Sequence, residues 1–392
     1  MTTPLTAFGE LLTADLTPIF QGSFEATVSN TQLTTNFVAG GGAVAQSDAM
    51  AVVSTSTTTE STARLVSKRH ARYRAGMGAV MRFTALFSAP VAGTDQLIGL
   101  ADEVGSTSQF ENGLMIGYMD GVFGFHRFAG DVTTSYPITT WSDPLDGFGN
   151  SRGTLDPTKL NIFYIQYGYL GVANPAVFWM GQDGIVYKVC MMRTAGMLTA
   201  PHSYNPNYHF MMLADNKITT SNVSLKCASY AYLVEGRVNM QELQQFHNSS
   251  GEQTKTTVTT ETAIFTIRNR SAYASKTNYI DILLESAAAS IETVVANNLA
   301  SLRLVMNTTL GGTPSWADVN TINSVVEIDM AGTTVTGGTT IATFPLAGKN
   351  DSHVFSGRGF NMILSPGETV TLAATSSNSA TVNGSCLWKE LF

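Results

Sequence analysis

The chain has 392 residues, 44% of them hydrophobic and only 13% charged, with a formal net charge of −7. That length supplies a sizeable core and points to about two or three domains, and the negative balance argues against a general nucleic-acid coat, which is basic. Three cysteines, Cys190, Cys227 and Cys386, are too few and odd in number for a disulfide framework and match no zinc spacing, so they read as small buried residues.

The first segment, MTTPLTAFGELLTADLTPIF, has no basic start. It carries Glu10 and Asp15 where a secretion signal is apolar, so a cleaved leader is not expected. Residues 1–60 are polar, with glycines at 40–42 and the run STSTTTEST at 54–62. Disorder and extended strand both fit that composition. Phe20, Phe24, Val28 and Phe37 favour an extended N-terminal arm that pairs with the body or with a neighbour. Residues 1–63 contain no Lys or Arg, and six arrive between Arg64 and Arg82. The basic block Lys68, Arg69, His70, Arg72 and Arg74 has three readings: contact with nucleic acid, a solvated face, or pairing with acidic groups of a neighbouring subunit. The last is open because guanidinium suits bidentate carboxylate contacts. Lys68, Arg69, Arg72 and Arg74 are therefore candidate interface residues.

From Ala79 strand signals follow one another: AVMRFTALF, QLIGLADE, GLMIGYMDG, VFGFHRF, NIFYIQYGYLG, AVFWMG, IVYKVCMM, YHFMMLAD and SLKCASYAYLV. Most are bounded by Gly, Asn or Asp, the pattern of a sandwich or jelly roll. Asp183-Gly184 marks a hairpin turn. Most aromatics in NIFYIQYGYLG and AVFWMG read as core, with Tyr167, Tyr169 and Trp179 as candidates for an exposed sugar-stacking or subunit-contact patch. VNMQELQQFHNSS, 238–250, allows one short helix. Residues 247–262, polar and without Phe, Tyr or Trp, read as a linker. A second strand-rich block follows, with Pro366-Gly367 as a type II turn signature. The expected fold is all-β: an arm over 1–60, a β-sandwich over 61–246, the linker, and a second, jelly-roll-like β-sandwich over 263–392. No apolar run reaches the length of a membrane span.

Four patterns bear on chemistry. EIDMAG, 327–332, resembles the E-x-D-x-x-E strand of concanavalin-like glycoside hydrolases, whose outer glutamates serve as nucleophile and acid/base. Gly332 stands at the third acidic position, so Glu327 and Asp329 read as carboxylates on a solvated strand face. Asp143, Asp146 and Asp156 lie in a Gly-rich loop, where turn chemistry competes with calcium binding. The glycines of GLMIGYMDGVFGFHRFAG lack the helix and Lys of a phosphate loop and instead fit close sheet approach or bulges. The six histidines form no close pair at metal spacing; His202 and His209, which flank PHSYNPNYH, could meet across a hairpin but read first as structural residues. These readings yield no catalytic residue, cofactor or metal ligand.

Several segments resemble structural proteins of tailed bacteriophages and some large DNA viruses. They include AFGELLTADLTPIFQGSF, RYRAGMGAVMRFTALF, WSDPLDGFGNSRGTLDPTKLNIFYIQYGYLG, SVVEIDMAGTTVTGG, LSPGETVTLAA and SCLWKELF. The resemblance implies a non-enzymatic virion component made in the host cytoplasm: a head fibre, capsid decoration or tail-fibre-like protein. It implies a lectin-like or laminin-G-like (concanavalin-type) sandwich followed by a second β domain, usually acting as a trimer. The implied partners are further copies of the chain, other capsid or tail proteins and a host surface glycan. The alternative function is a carbohydrate- or receptor-binding adhesin on the virion surface.

Overall fold

The computed structural model describes residues 16–28, 34–102, 110–130, 132–236, 246–292, 299–347, 351–356 and 362–391. Among these the regular structure is strand throughout, apart from the single 3-10 turn Ile138–Thr140. The chain divides into two units, Met1–Val238 and Asn239–Phe392.

The first unit is a sandwich of two antiparallel sheets. A seven-stranded sheet runs in the order Val132–Pro137, Val122–Ala129, Asn112–Met119, Asp95–Ala101, Tyr208–Asp215, Thr62–Ala71, Thr34–Ala39. A nine-stranded sheet is built around Gly78–Phe87, which pairs with Asn161–Gly168 on one side and with Ser224–Cys227 and Ser229–Glu235 on the other. Alternation in Gly78–Phe87 explains its role. Met81, Phe83, Ala85 and Phe87 are buried, while Arg82, Thr84 and Leu86 are only partly so. Both sheets contribute to one core: Phe210 stacks on Tyr230 at 3.9 Å between ring centroids, and Phe123 meets Phe163. Each such ring contributes about 1.5–3 kcal/mol by leaving water.

The central strands of the seven-stranded sheet are buried on both faces. Leu65, Ile98, Leu114 and Phe210 face the main core, and their neighbours Val66, Leu97, Met115 and Met211 form a separate apolar cluster. This is why DQLIGLA and NGLMIGYM read as continuous apolar runs rather than alternating ones. Gly99 and Gly117 permit the packing. A Cβ on Gly99 (φ +151°) would lie 3.0 Å from Ile165 of the opposite sheet, and one on Gly117 (φ +141°) would lie 2.0 Å from the Gln96 carbonyl. For Gly117 the expected role in close approach is met, since its Cβ would also lie 2.9 Å from Phe87 of the opposite sheet.

Residues 16–28 and 34–54 pair with the body, one of the two alternatives expected of the arm, and do so as integral strands of the first unit. Leu16–Ser23 pairs with Ser229–Glu235, Thr34–Ala39 pairs with Thr62–Ala71, and the hairpin Ala43–Ser47/Met50–Ser54 extends the larger sheet. Phe20, Phe24 and Val28 lie in the core, so burial of these anchors makes the segment part of the body. Asn216 holds the polar run that follows, accepting from the Ser61 amide and donating to the Ser56 and Thr58 carbonyls.

The second unit packs two six-stranded sheets around Trp388, Phe265, Ile282, Leu284, Leu302 and Leu372. Its central strands are Ala380–Leu391 beside Asp281–Glu292 in one sheet, and Thr262–Asn269 beside Thr369–Ser376 in the other. The linker expected over 247–262 is corrected. Phe246–Ser249 and Gln253–Val258 both pair with Ala380–Leu391. QTKTTV is polar because it is a largely exposed strand that buries only Val258. Of the short helix expected over 238–250, residues 238–245 lie outside the described residues, and Phe246–Ser249 is strand. Both turn signatures hold: Gly184 (φ +76°) closes the Ala176–Met180/Val186–Met191 hairpin, and Gly367 (φ +88°) joins Ile363–Leu364 to Thr369–Ser376.

Candidate functional site

One end of the first sandwich gathers aromatic, basic and buried polar side chains. Three chain segments build it. The strand Thr62–Ala71 runs out into Arg72, Tyr73 and Arg74. The strand Asn161–Gly168 runs out into Tyr169 and Leu170. The loop 202–207 leads into Tyr208–Asp215. Asn and Ser chemistry shapes that loop: the Asn207 amide donates to Asn205 Oδ1 at 3.0 Å, and Ser203 Oγ donates to the Asn205 carbonyl at 2.7 Å. The loop is tied to the other segments by Asn207 Oδ1, which accepts from the Tyr73 amide, and by Tyr169 Oη, which donates to the Ser203 carbonyl. Tyr73 Oη in turn accepts from the Leu170 amide.

The rings of Tyr73 and Tyr169 meet edge to face at 4.8 Å, and Tyr169 meets His202 in the same way at 5.2 Å. Tyr204 is 60% exposed and lies over Gly130, where a Cβ would come 2.3 Å from its ring. The Tyr204 amide is held by Asn112 Oδ1, and Asn112 donates through its backbone and side chain to both oxygens of buried Asp102. Burial raises the Asp102 carboxyl, with the Asn112 donors opposing.

Beneath this rim lie three tyrosines. The hydroxyls of Tyr167 and Tyr232 are 3.1 Å apart, and the Tyr167 ring meets that of Tyr208 from the opposite sheet at 5.7 Å. Burial raises all three phenols. The Tyr208 hydroxyl lies near Ser203 but makes no hydrogen bond of normal geometry. Arg74 is half-buried. Burial lowers its guanidinium and Tyr232 opposes the shift, while its Nε finds no hydrogen-bond acceptor. His202 is fully buried with neither ring nitrogen hydrogen-bonded, and burial, then the charge of Arg127, pushes it down to about 4.

The structure therefore brings Tyr73, the residue before Arg74, against Tyr169, so the basic block and the aromatic segment singled out in the sequence reach the same end. Arg72 adjoins Tyr73, whereas Lys68 and Arg69 lie within the strand, Arg69 exposed and Lys68 partly so. Tyr167 and Trp179 are corrected as exposed candidates: they are 1% and 3% exposed, and both belong to the main core. The Trp179 indole donates to Asn161 Oδ1, which satisfies it in the interior. The hairpin alternative for His209 is corrected too. Its ring packs against His70 at 5.6 Å, because the two strands carrying them pair directly. His202, Tyr208, Tyr232 and Asp102 were not singled out for this site. Tyrosines in strand sequence carry no local mark of which sheet end they reach.

The carboxylates of the sequence motifs are engaged structurally. Asp329 is buried and accepts from the amides of Ser315, Ala331 and Gly332, which corrects the expected solvated face. Glu327 pairs with Arg268 at 2.5 Å, and that guanidinium lies 4.1 Å from the Trp316 ring centroid. Asp143, Asp146 and Asp156 each accept from an amide two residues ahead, the turn reading of that loop. Among the described residues no group of three His, Cys, Asp or Glu side chains is placed to hold a metal ion. No helix there is long and apolar enough to cross a membrane.

No family model and no curated protein matches the sequence. Among solved structures, the chain is similar to a legume lectin-like domain from Entamoeba histolytica (10% identity, TM-score 0.36, covering 56% of this chain and 98% of that one). It is also similar to a seed lectin of Lotus tetragonolobus (9% identity, TM-score 0.36, covering 56% and 100%). A third likeness is to a glycosyl hydrolase family protein from Mycobacterium fortuitum (12% identity, TM-score 0.38, covering 55% and 99%). With TM-scores below 0.5, these likenesses carry no argument about this chain.

Proposed function

We propose that the chain is a non-enzymatic carbohydrate-binding protein, and that its first unit holds a surface glycan at the end that carries Tyr73, Arg74, Tyr169 and Tyr204. The supporting observation is Tyr204, a large ring seated over a glycine, open to solvent, and fixed through its backbone by Asn112. A preset ring of this kind offers an apolar face to sugar C–H groups at low cost in conformational entropy. The surrounding Asn and Ser groups and the Tyr hydroxyls match sugar hydroxyls. The carboxylates of EIDMAG and of the 141–156 loop are taken up by backbone amides and by Arg268, which favours binding over hydrolysis.

The virion setting, the homotrimer and the capsid or tail partners rest on the sequence resemblance alone. An antibody to this chain that fails to label purified particles would reject that setting without touching the binding role. A glycan array with the isolated protein tests the binding role itself. The expected result is a defined set of bound glycans, with affinity reduced about tenfold or more in Tyr204→Ala at unchanged thermal stability; tenfold is roughly 1.4 kcal/mol. Absence of any glycan signal from the unmodified protein at high concentration overturns it.

A further inference from the structure

We infer that this end of the first unit reads a carboxylate on the sugar, a hexuronic or sialic acid, and that Arg74 is the residue that takes it. The inference rests on the proposed glycan-binding role and names the class of sugar. Its basis is a contrast in how arginines are satisfied. In the second unit Arg268, Arg270 and Arg303 each hold a carboxylate, Glu327, Asp318 and Glu261, at 2.5–2.9 Å. Among the described residues Arg74 has no such partner. It is half-buried all the same, and its Nε is out of water without an acceptor. With its Nε out of water and no carboxylate beside it among the described residues, this guanidinium has lost part of its hydration and gained no counter-charge, a cost that a bound anion removes.

The surroundings narrow the anion. Both buried acids described at this end are engaged: Asp102 accepts two donors from Asn112, and Glu235 accepts from the Gln166 side chain. Arg127, at the Tyr204 side, donates to Thr134 and is close enough to His202 to lower it electrostatically, so it adds positive potential. The planar guanidinium fork fits a carboxylate bidentately. The Tyr73–Tyr169 edge-to-face pair and the exposed Tyr204 ring supply the flat apolar surface that a sugar ring needs and a bare anion does not.

The test measures affinity of the full chain for methyl glucuronide, the methyl glycoside of N-acetylneuraminic acid, the methyl esters of both, and methyl glucoside. Unmodified protein, Arg74→Gln and Arg74→Lys are compared by calorimetry. One acid is expected to bind at least about tenfold more tightly than its ester, and which acid does so identifies the sugar. Arg74→Gln abolishes the difference, Arg74→Lys restores part of it, and added salt weakens it. If acids and esters bind equally, or if Arg74→Gln keeps the preference, the inference fails while the glycan-binding role stands. If none of the probes binds and the array is also blank, the glycan-binding role itself has failed. A change in sedimentation of Arg74→Gln without a change in sugar affinity assigns the arginine to an acidic group of a second copy, which also overturns the inference. Should the Gln variant not fold, the salt dependence and the Lys variant carry the test.

Discussion

The hydroxyls of Tyr167 and Tyr232 lie 3.1 Å apart in the interior of the first sandwich, on two strands that flank opposite sides of Gly78–Phe87. Each side chain is buried among apolar neighbours, so each hydroxyl depends on the other. Tyr167→Phe is expected to destabilise the unit by about 1–3 kcal/mol, because Tyr232 keeps a buried polar group with no partner. Replacing both by Phe is expected to cost less than twice the single change. Urea denaturation of the two single variants and the double variant reads this coupling, and strict additivity would contradict it.

Buried neutral histidines set the response to acid. His209 is pushed down to about 3, by burial first and then by His70, and His202 to about 4, from an ordinary value of 6.5. Between pH 6.5 and those lower values the unfolded chain binds protons that the folded chain refuses. Stability therefore falls as pH falls through that window, by up to roughly 1.4 kcal/mol per pH unit for each histidine. Asp102, raised by burial, acts in the opposite direction over its own range. Urea midpoints at pH 7.5 and pH 5 are expected to differ, with a smaller difference in His202→Phe. An identical pH dependence in that variant would remove His202 from the account.

Cys190, Cys227 and Cys386 are buried free thiols, and burial raises all three, the first two to about 12. A thiol reagent is expected to leave the native protein unlabelled at neutral pH and to modify all three on denaturation. Rapid labelling of the native chain would show that a thiol reaches solvent.

In the second unit Glu390 is buried, and its carboxylate accepts from Asn248, Ser324 and Trp388 side chains and from the Val325 amide. Glu390→Ala strands several buried donors and is expected to cost about 3 kcal/mol or more. Calorimetric melting should show the second unit unfolding earlier, with the transition of the first unchanged. A melting profile equal to that of the parent protein would refute this.

Gly117→Ala is a test of sheet packing. The backbone at φ +141° and the 2.0 Å approach to the Gln96 carbonyl leave no room for a methyl group. The first unit should lose several kcal/mol, of order 2–4. Retained stability would mean that the strands can shift apart.

The all-β class, the Asp183-Gly184 hairpin, the Pro366-Gly367 turn and the buried cysteines were legible in the residues themselves. Strand propensity, turn geometry and small apolar size are local properties that need no knowledge of distant partners. The N-terminal strands, the placement of 246–258 in the second unit and the meeting of Tyr73 with Tyr169 were decided by tertiary structure alone. NIFYIQYGYLG shows the reason. Tyr167 and Tyr169 stand two residues apart in similar surroundings, yet one closes the interior beneath a facing sheet and the other ends at a loop. Nothing local separates them, because which tyrosine is covered depends on strands that arrive from far along the chain.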